Sequence, residues 1–127
     1  MPIPWTREGS SYGFGDGGSR LPPSAEWAEL SVEAQTGVPG STLELYRAAL
    51  ATPRTPGPRR RRRGRVARRP EGVLAFRRGD FVCVADTTPE SVTTPAYGRV
   101  LLASGQVLEG DGDAKIPADT TVWFTTA

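Results

Sequence analysis

The 127 residues contain no histidine, and only one cysteine and one methionine. Without histidine the chain cannot carry a His-dependent catalytic triad, a His general base or a His-built zinc cluster of its own. One cysteine excludes an internal disulfide and a Cys-based metal site. No apolar run reaches the roughly 18 residues that would cross a bilayer. The first residues lack the charged-then-apolar pattern of an export signal, so a cytoplasmic location is the expectation. Aromatic residues make up only 8% of the chain, while there are 15 glycines and 12 prolines. That balance favours loops and strands over a helical bundle. The length suits one average domain or two small pieces. It falls well short of the roughly 250 residues of a (β/α)8 barrel.

The charge is present but unevenly placed. Nine arginines fall between 54 and 69, and no acidic residue falls in 53–70. Taking those nine charges from the net +2 leaves −7 for the rest, so the basic character belongs to one segment. With its prolines and self-repelling arginines, 53–70 is expected to be an extended, disordered connector. As a nucleic-acid arm it would neutralise several phosphates and bind with a steep salt dependence. It lacks interleaved aromatics and an accompanying fold, which weighs against that reading.

The stretch 31–50 carries the one convincing helix. Pro39-Gly40 breaks any earlier helix. Ser41 follows as N-cap, with Glu44 three residues on, which predicts a capping box. Leu43, Tyr46 and Leu50 then recur at helical spacing, widened by Leu45 and Ala49, and Pro53 ends the helix near Thr52. A lone helix of about 11 residues is marginal in water. This apolar face is therefore expected to lie against a larger body.

Before the helix, residues 1–24 read as an irregular loop rich in Gly and Pro. Trp5, Tyr12 and Phe14 within it need burial or a ligand. Gly13-x-Gly15-x-Gly17-Gly18 imitates a phosphate cradle but follows no strand and opens no helix, so it fails the context a nucleotide loop requires. A short helical turn is expected around Trp27, with Trp27 as an anchor, and another from Val32 to Gln35.

Residues 72–127 read as β. Gly72–Arg77 and Phe81–Asp86 form a hairpin across Arg78-Gly79-Asp80. Phe81, Cys83 and Ala85 share one face, Val82 and Val84 the other. Cys83 reads as a small core residue. Ser91–Thr94, Arg99–Ser104 and Thr120–Thr125 are further strands. Asp111-Gly-Asp113 lacks a full calcium-loop pattern and reads as a solvated turn. Five or six short antiparallel strands result, a small sandwich or half-barrel that is marginal alone at about 56 residues.

Several of these stretches together resemble one family. Val32-x-x-Gln35 followed by Ser41-x-Leu43-x-x-Tyr46-Arg47 looks like the last barrel helix of α-glucosidases in the α-amylase superfamily. Pro2-Ile-Pro-Trp5, Tyr12-Gly-Phe-Gly15 and Trp27 are similar to the loop before that helix. Glu71-Gly-Val-Leu-Ala-Phe76 and Pro117-Ala-Asp-x-x-Val-Trp-Phe124 resemble the first and last strands of the closing β domain. The sequence departs at Val38, where the family usually has Asp, and at Asp86, where it often has Asn. Met1 stands in place of a Val or Thr, which implies that further chain precedes it.

The resemblance implies an α+β chain in three parts: residues 1–52 as the last loop and helix of a truncated (β/α)8 barrel, 53–70 as the connector, and 71–127 as the C-terminal antiparallel β domain. At 53–70 it lapses altogether. A family-like Thr-Arg-Glu-His-Pro-Gly-Leu-Gly-Ala, in GC-rich codons shifted by one inserted base, reads Thr-Pro-Arg-Thr-Pro-Gly-Pro-Arg-Arg, the residues of 52–60. A frame artefact therefore competes with a genuine linker. The resembled enzymes are retaining hydrolases using two carboxyl groups about 5–5.5 Å apart. No acidic residue of this chain falls in a matching motif, so no catalytic residue is assigned, and no metal or cofactor. Trp5 and Phe14 are the candidate substrate-binding residues at a pocket rim. The implied partners are the missing barrel and, through it, an oligosaccharide. Two other readings stand beside this one: a stand-alone β-sandwich carbohydrate-binding module, and an Arg-rich nucleic-acid binder.

Overall fold

The computed structural model describes residues 3–18, 20–52, 65–67 and 71–126. They divide into two compact units, Met1–Ala51 and Thr52–Ala127. The expectation of a disordered connector at 53–70 lies outside the described residues, except at 65–67.

The first unit begins with a tied loop and continues through a 3-10 turn at Ala25–Ala28 to two α-helices, α1 (Val32–Gln35) and α2 (Thr42–Ala51). Ser31 caps α1: its Oγ accepts the Ala34 N–H at 3.1 Å and donates to the Ala28 carbonyl at 2.7 Å. This satisfies an orphan donor of the first turn. At α2 the cap differs from the expected box. Ser41 Oγ does accept the Glu44 N–H at 3.3 Å. The Glu44 carboxylate, however, does not return to Ser41, whose N–H donates to the Val38 carbonyl at 3.1 Å. It accepts the Gly37 N–H at 3.0 Å and Arg47 Nη1 at 2.7 Å instead. Gly37 turns left-handed at φ 75°, and its N–H meets that carboxylate. A Gln35 side chain completes the joint, as its Oε1 accepts the Leu43 N–H at 3.0 Å and its Nε2 donates to the Leu30 carbonyl at 2.8 Å.

Among its described residues the second unit has eight strands where five or six are expected. A five-stranded antiparallel sheet runs in the order β1-β2-β3-β8-β5, and a three-stranded one in the order β4-β7-β6. The strands are β1 (Arg65–Ala67), β2 (Val73–Arg78), β3 (Phe81–Asp86), β4 (Val92–Pro95), β5 (Arg99–Ala103), β6 (Leu108–Glu109), β7 (Asp113–Ile116) and β8 (Thr121–Thr125). The β2–β3 hairpin forms as its sequence dictates, with Gly79 at φ 66°. Three short strands depart from the sequence expectation. β1 pairs with β2 inside the stretch read as structureless. Asp113 opens β7, so Asp111-Gly112-Asp113 is a turn that leads into a strand. β6 pairs beside β7.

Two inner faces meet in a sandwich. Ala75, Val82, Val84, Val122 and Phe124 of the larger sheet pack with Ala114 and Ile116 of the smaller. Burying each Val, Ile or Phe contributes about 1.5–3 kcal/mol. On the other side of the larger sheet, Phe76 and Trp123 flank Cys83 in register. Phe81 tilts toward Phe76 at 6.2 Å and meets Trp123 edge-on at 5.4 Å. Cys83 is buried, and burial pushes its thiol above the ordinary 9.0, with an opposing contribution from a Trp123 hydrogen bond. Segment 96–98 carries the chain from one sheet to the other. There Tyr97 packs edge-on against Phe124 at 5.8 Å.

Candidate functional site

The two residues singled out for ligand contact, Trp5 and Phe14, lie on the tied loop of the first unit. The Trp5 N–H donates to the Tyr12 carbonyl at 2.8 Å, which closes the loop. Val32 and Glu33, in the first turn of α1, donate their N–H groups to the carbonyls of Pro4 and Trp5, each at 3.0 Å. Free donors of a helix start thereby anchor the loop. Tyr12 adopts φ 49°, and Gly13 follows at φ 78°. A Cβ at Gly13 would come within 3.0 Å of Thr6 Oγ1 and 3.2 Å of Trp5 Cβ, so this close crossing needs glycine.

Phe14 is fixed from the other side. Its N–H donates to the Ser11 carbonyl at 3.2 Å, and the buried Ser11 hydroxyl donates to the Gly15 carbonyl at 2.6 Å. Both rings face outward, Trp5 at 51% and Phe14 at 61% exposure. Among the described residues no ring contact joins them. Trp27 is half-buried, less enclosed than an anchor would be.

Two acids beside the loop, Glu29 and Glu33, are engaged by Arg7. Glu33 Oε2 accepts the Arg7 N–H at 2.9 Å, and Glu29 lies 3.7 Å from Arg7 Nη1. Among the described residues no group of three or more His, Cys, Asp or Glu could hold a metal ion. The positioning residues Gln35 and Ser31 were not singled out from sequence. Gln35 was legible only as part of a family pattern, and Ser31 was open to recognition as a Ser three residues before an alanine at a helix start.

The first unit also lacks a core. Among its described residues Ala34 is the only buried hydrophobic side chain. Ile3, Trp5, Phe14, Leu21, Leu30, Tyr46 and Leu50 are each more than half exposed. The predicted apolar face of α2 is partly uncovered: Tyr46 is 66% and Leu50 76% exposed, while Leu43, Leu45 and Ala49 are half-buried.

No protein-family model matches the chain, and no curated protein matches it in sequence. Solved structures do. An α-glucosyl transfer enzyme, XgtA, matches with a TM-score of 0.72 and 22% identity over 97% of this chain. An α-amylase from H. orenii matches with a TM-score of 0.59 and 22% identity over 96%. The chain spans 24% and 27% of those two proteins. Its fold is therefore that of one part of these larger enzymes. No helix among the described residues is long and apolar enough to cross a membrane.

Proposed function

We propose that this chain is the C-terminal part of a retaining α-glucosidase that acts on short malto- or isomalto-oligosaccharides. It supplies the last loop and helix of the barrel (1–52) and the closing β domain (71–127), joined by 53–70. The catalytic carboxylates belong to the rest of the parent. This part covers the barrel, and Trp5 and Phe14 line the rim of its pocket, where an aromatic face can stack on a sugar ring.

The observation that carries this reading is the coreless first unit. It has the apolar residues of a packed element but buries one alanine among its described residues. Large exposed apolar surface marks a missing partner. That the chain matches about a quarter of an α-glucosyl transfer enzyme supports a barrel as that partner.

The test has two readouts on the purified chain. It should release no p-nitrophenol from p-nitrophenyl α-glucoside, and the amide signals of 42–51 should be poorly dispersed until a barrel segment is supplied. Turnover by the pure chain, or sharp dispersed signals throughout α2 without a partner, would overturn the reading. A second reading draws support from the closed core of the β unit, which suits a stand-alone carbohydrate-binding module. It requires a cooperatively melting monomer with measurable glucan affinity.

A further inference from the structure

The inner face of the five-stranded sheet carries an open cleft at its β1–β2 edge. The cleft holds about 320 Å³ and is lined by Arg65, Arg77, Ala75, Val82 and Tyr97, with Val66 and Phe76 beside them. Arg65 and Arg77 are direct cross-strand partners, and Arg77 is in turn paired with Val82. Directly opposed residues share a face, so both guanidinium groups belong to the side of the sheet that holds Val82 and Ala75. Both arginines are exposed, while Ala75 and Val82 beneath them are buried.

Two like charges directly opposite in a ladder destabilise it. Among the described residues neither arginine forms an ion pair. The ion pairs among the described residues are Arg7 with Glu29 and Arg47 with Glu44. The neighbouring stretch 53–70 offers no acid, only more arginine. Arg77 Nε donates to the Gly79 carbonyl at 2.8 Å, which steadies the side chain without balancing its charge. A paired cation site above an apolar floor, in a cleft at the lower end of the usual ligand-pocket range of about 300–1,000 Å³, suits one kind of ligand.

We propose that this cleft binds an amphiphilic organic anion, with a carboxylate or phosphate group held between Arg65 and Arg77 and an apolar body resting on Val82 and Tyr97. Guanidinium forks match both head groups in a two-bond geometry. The apolar floor adds selectivity for a ligand with a hydrocarbon or aromatic body over a bare anion. The site lies wholly in the β unit and does not depend on the glucosidase reading.

The test titrates the full isotope-labelled chain with 4-phenylbutyrate, phenyl phosphate, inorganic phosphate and the neutral 4-phenylbutyramide, and follows the Val82 and Tyr97 amides. At least one of the two organic anions should give saturable shifts. Inorganic phosphate should bind about tenfold more weakly, and the amide should not bind measurably. Which of the two organic anions binds more tightly identifies the head group. Arg65→Gln and Arg77→Gln should each weaken binding about tenfold, the loss of one charge-assisted contact. Without ligand, Arg65→Gln should also raise the melting midpoint by removing the like-charge pair. Equal binding of the amide, equal binding of inorganic phosphate, or unchanged affinity in both variants would overturn the proposal.

Discussion

The side-chain oxygen of Gln35 accepts the backbone N–H of Leu43 at 3.0 Å, so α2 is capped in part by a residue of α1. The same side chain donates to the Leu30 carbonyl at 2.8 Å, which makes one amide the joint between three segments. Replacing Gln35 with Ala should lower the stability of this joint by about 1 kcal/mol, the usual loss for a helix cap. Gln35→Glu keeps the oxygen acceptor toward Leu43 but loses the donor to the Leu30 carbonyl, so it should recover only the Leu43 part. Amide hydrogen exchange at Leu43 measures both, in the chain with its barrel partner supplied. Equal protection in the wild type and the Ala variant would refute the role.

Gly98 and Gly112 separate two costs that are usually mixed. Both have positive φ, +113° and +90°. A Cβ at Gly98 would lie 2.2 Å from the Thr125 carbonyl oxygen, whereas one at Gly112 meets nothing within 4 Å. Gly112→Ala should therefore cost only backbone strain, about 1 kcal/mol. Gly98→Ala adds a clash with main chain of β8 and should cost about 3 kcal/mol or more. Urea unfolding followed by Trp123 fluorescence in a Trp5→Phe, Trp27→Phe background checks the difference, and equal midpoints would contradict it.

Glu44 predicts an acid sensitivity. The Gly37 N–H, and after it Arg47, hold its carboxyl below the ordinary 4.5. Its contribution is present above that value and is lost as pH falls through the lower value of the folded state. Helicity of α2 should then fall on acidification, and Glu44→Gln should flatten that part of the curve. Amide hydrogen exchange across 42–51 between neutral and acid pH, with the barrel partner supplied, would show it.

Cys83 predicts the opposite end of the scale. Its thiol is raised by burial, so the fold favours the protonated form. That stabilisation is complete below 9.0, the ordinary value, and is lost as pH rises through the higher value of the folded state. The thiol should resist a disulfide reagent at neutral pH and react only on unfolding, while Cys83→Ala removes the alkaline decline.

Asp86 is 2% exposed; among the described residues its Oδ2 has no hydrogen-bond partner, while Oδ1 accepts the Thr88 N–H at 2.9 Å. A buried polar oxygen without a partner is costly. Asp86→Asn keeps the Thr88 bond and Asp86→Ala removes it, so the Ala variant should be about 1 kcal/mol less stable than the Asn variant. Equal melting midpoints in the two would show that the Thr88 bond contributes nothing.

The strands that sequence made legible are those whose own residues alternate or end at a glycine turn. Val82 and Val84 face inward and Phe81 outward because the strand period is two, and Gly79 fixes where the hairpin turns. β7 was obscured because its fully buried Ala114 and Ile116 alternate with the charged Asp113 and Lys115 in a turn-like stretch. β1 was hidden by the arginines around it, since its pairing is decided by β2 and not by its own composition. The cap of α2 was half legible: Ser41 acts locally, but the partner of Glu44 depends on how Gly37 bends the chain. Trp5 and Phe14 came from likeness to a family and not from any local pattern. Their outward placement on a closed loop was beyond what composition or periodicity could give.

The strand order places β8 between β3 and β5. Β3 is synthesised long before β8, so during translation its free edge stays open while more than thirty intervening residues, 87–120, emerge. An open edge of Val82, Cys83 and Val84 is a template for foreign pairing. Nascent chains stalled before Thr121 should thus be the species that needs a chaperone, and slow codons in that interval would lengthen the hazard.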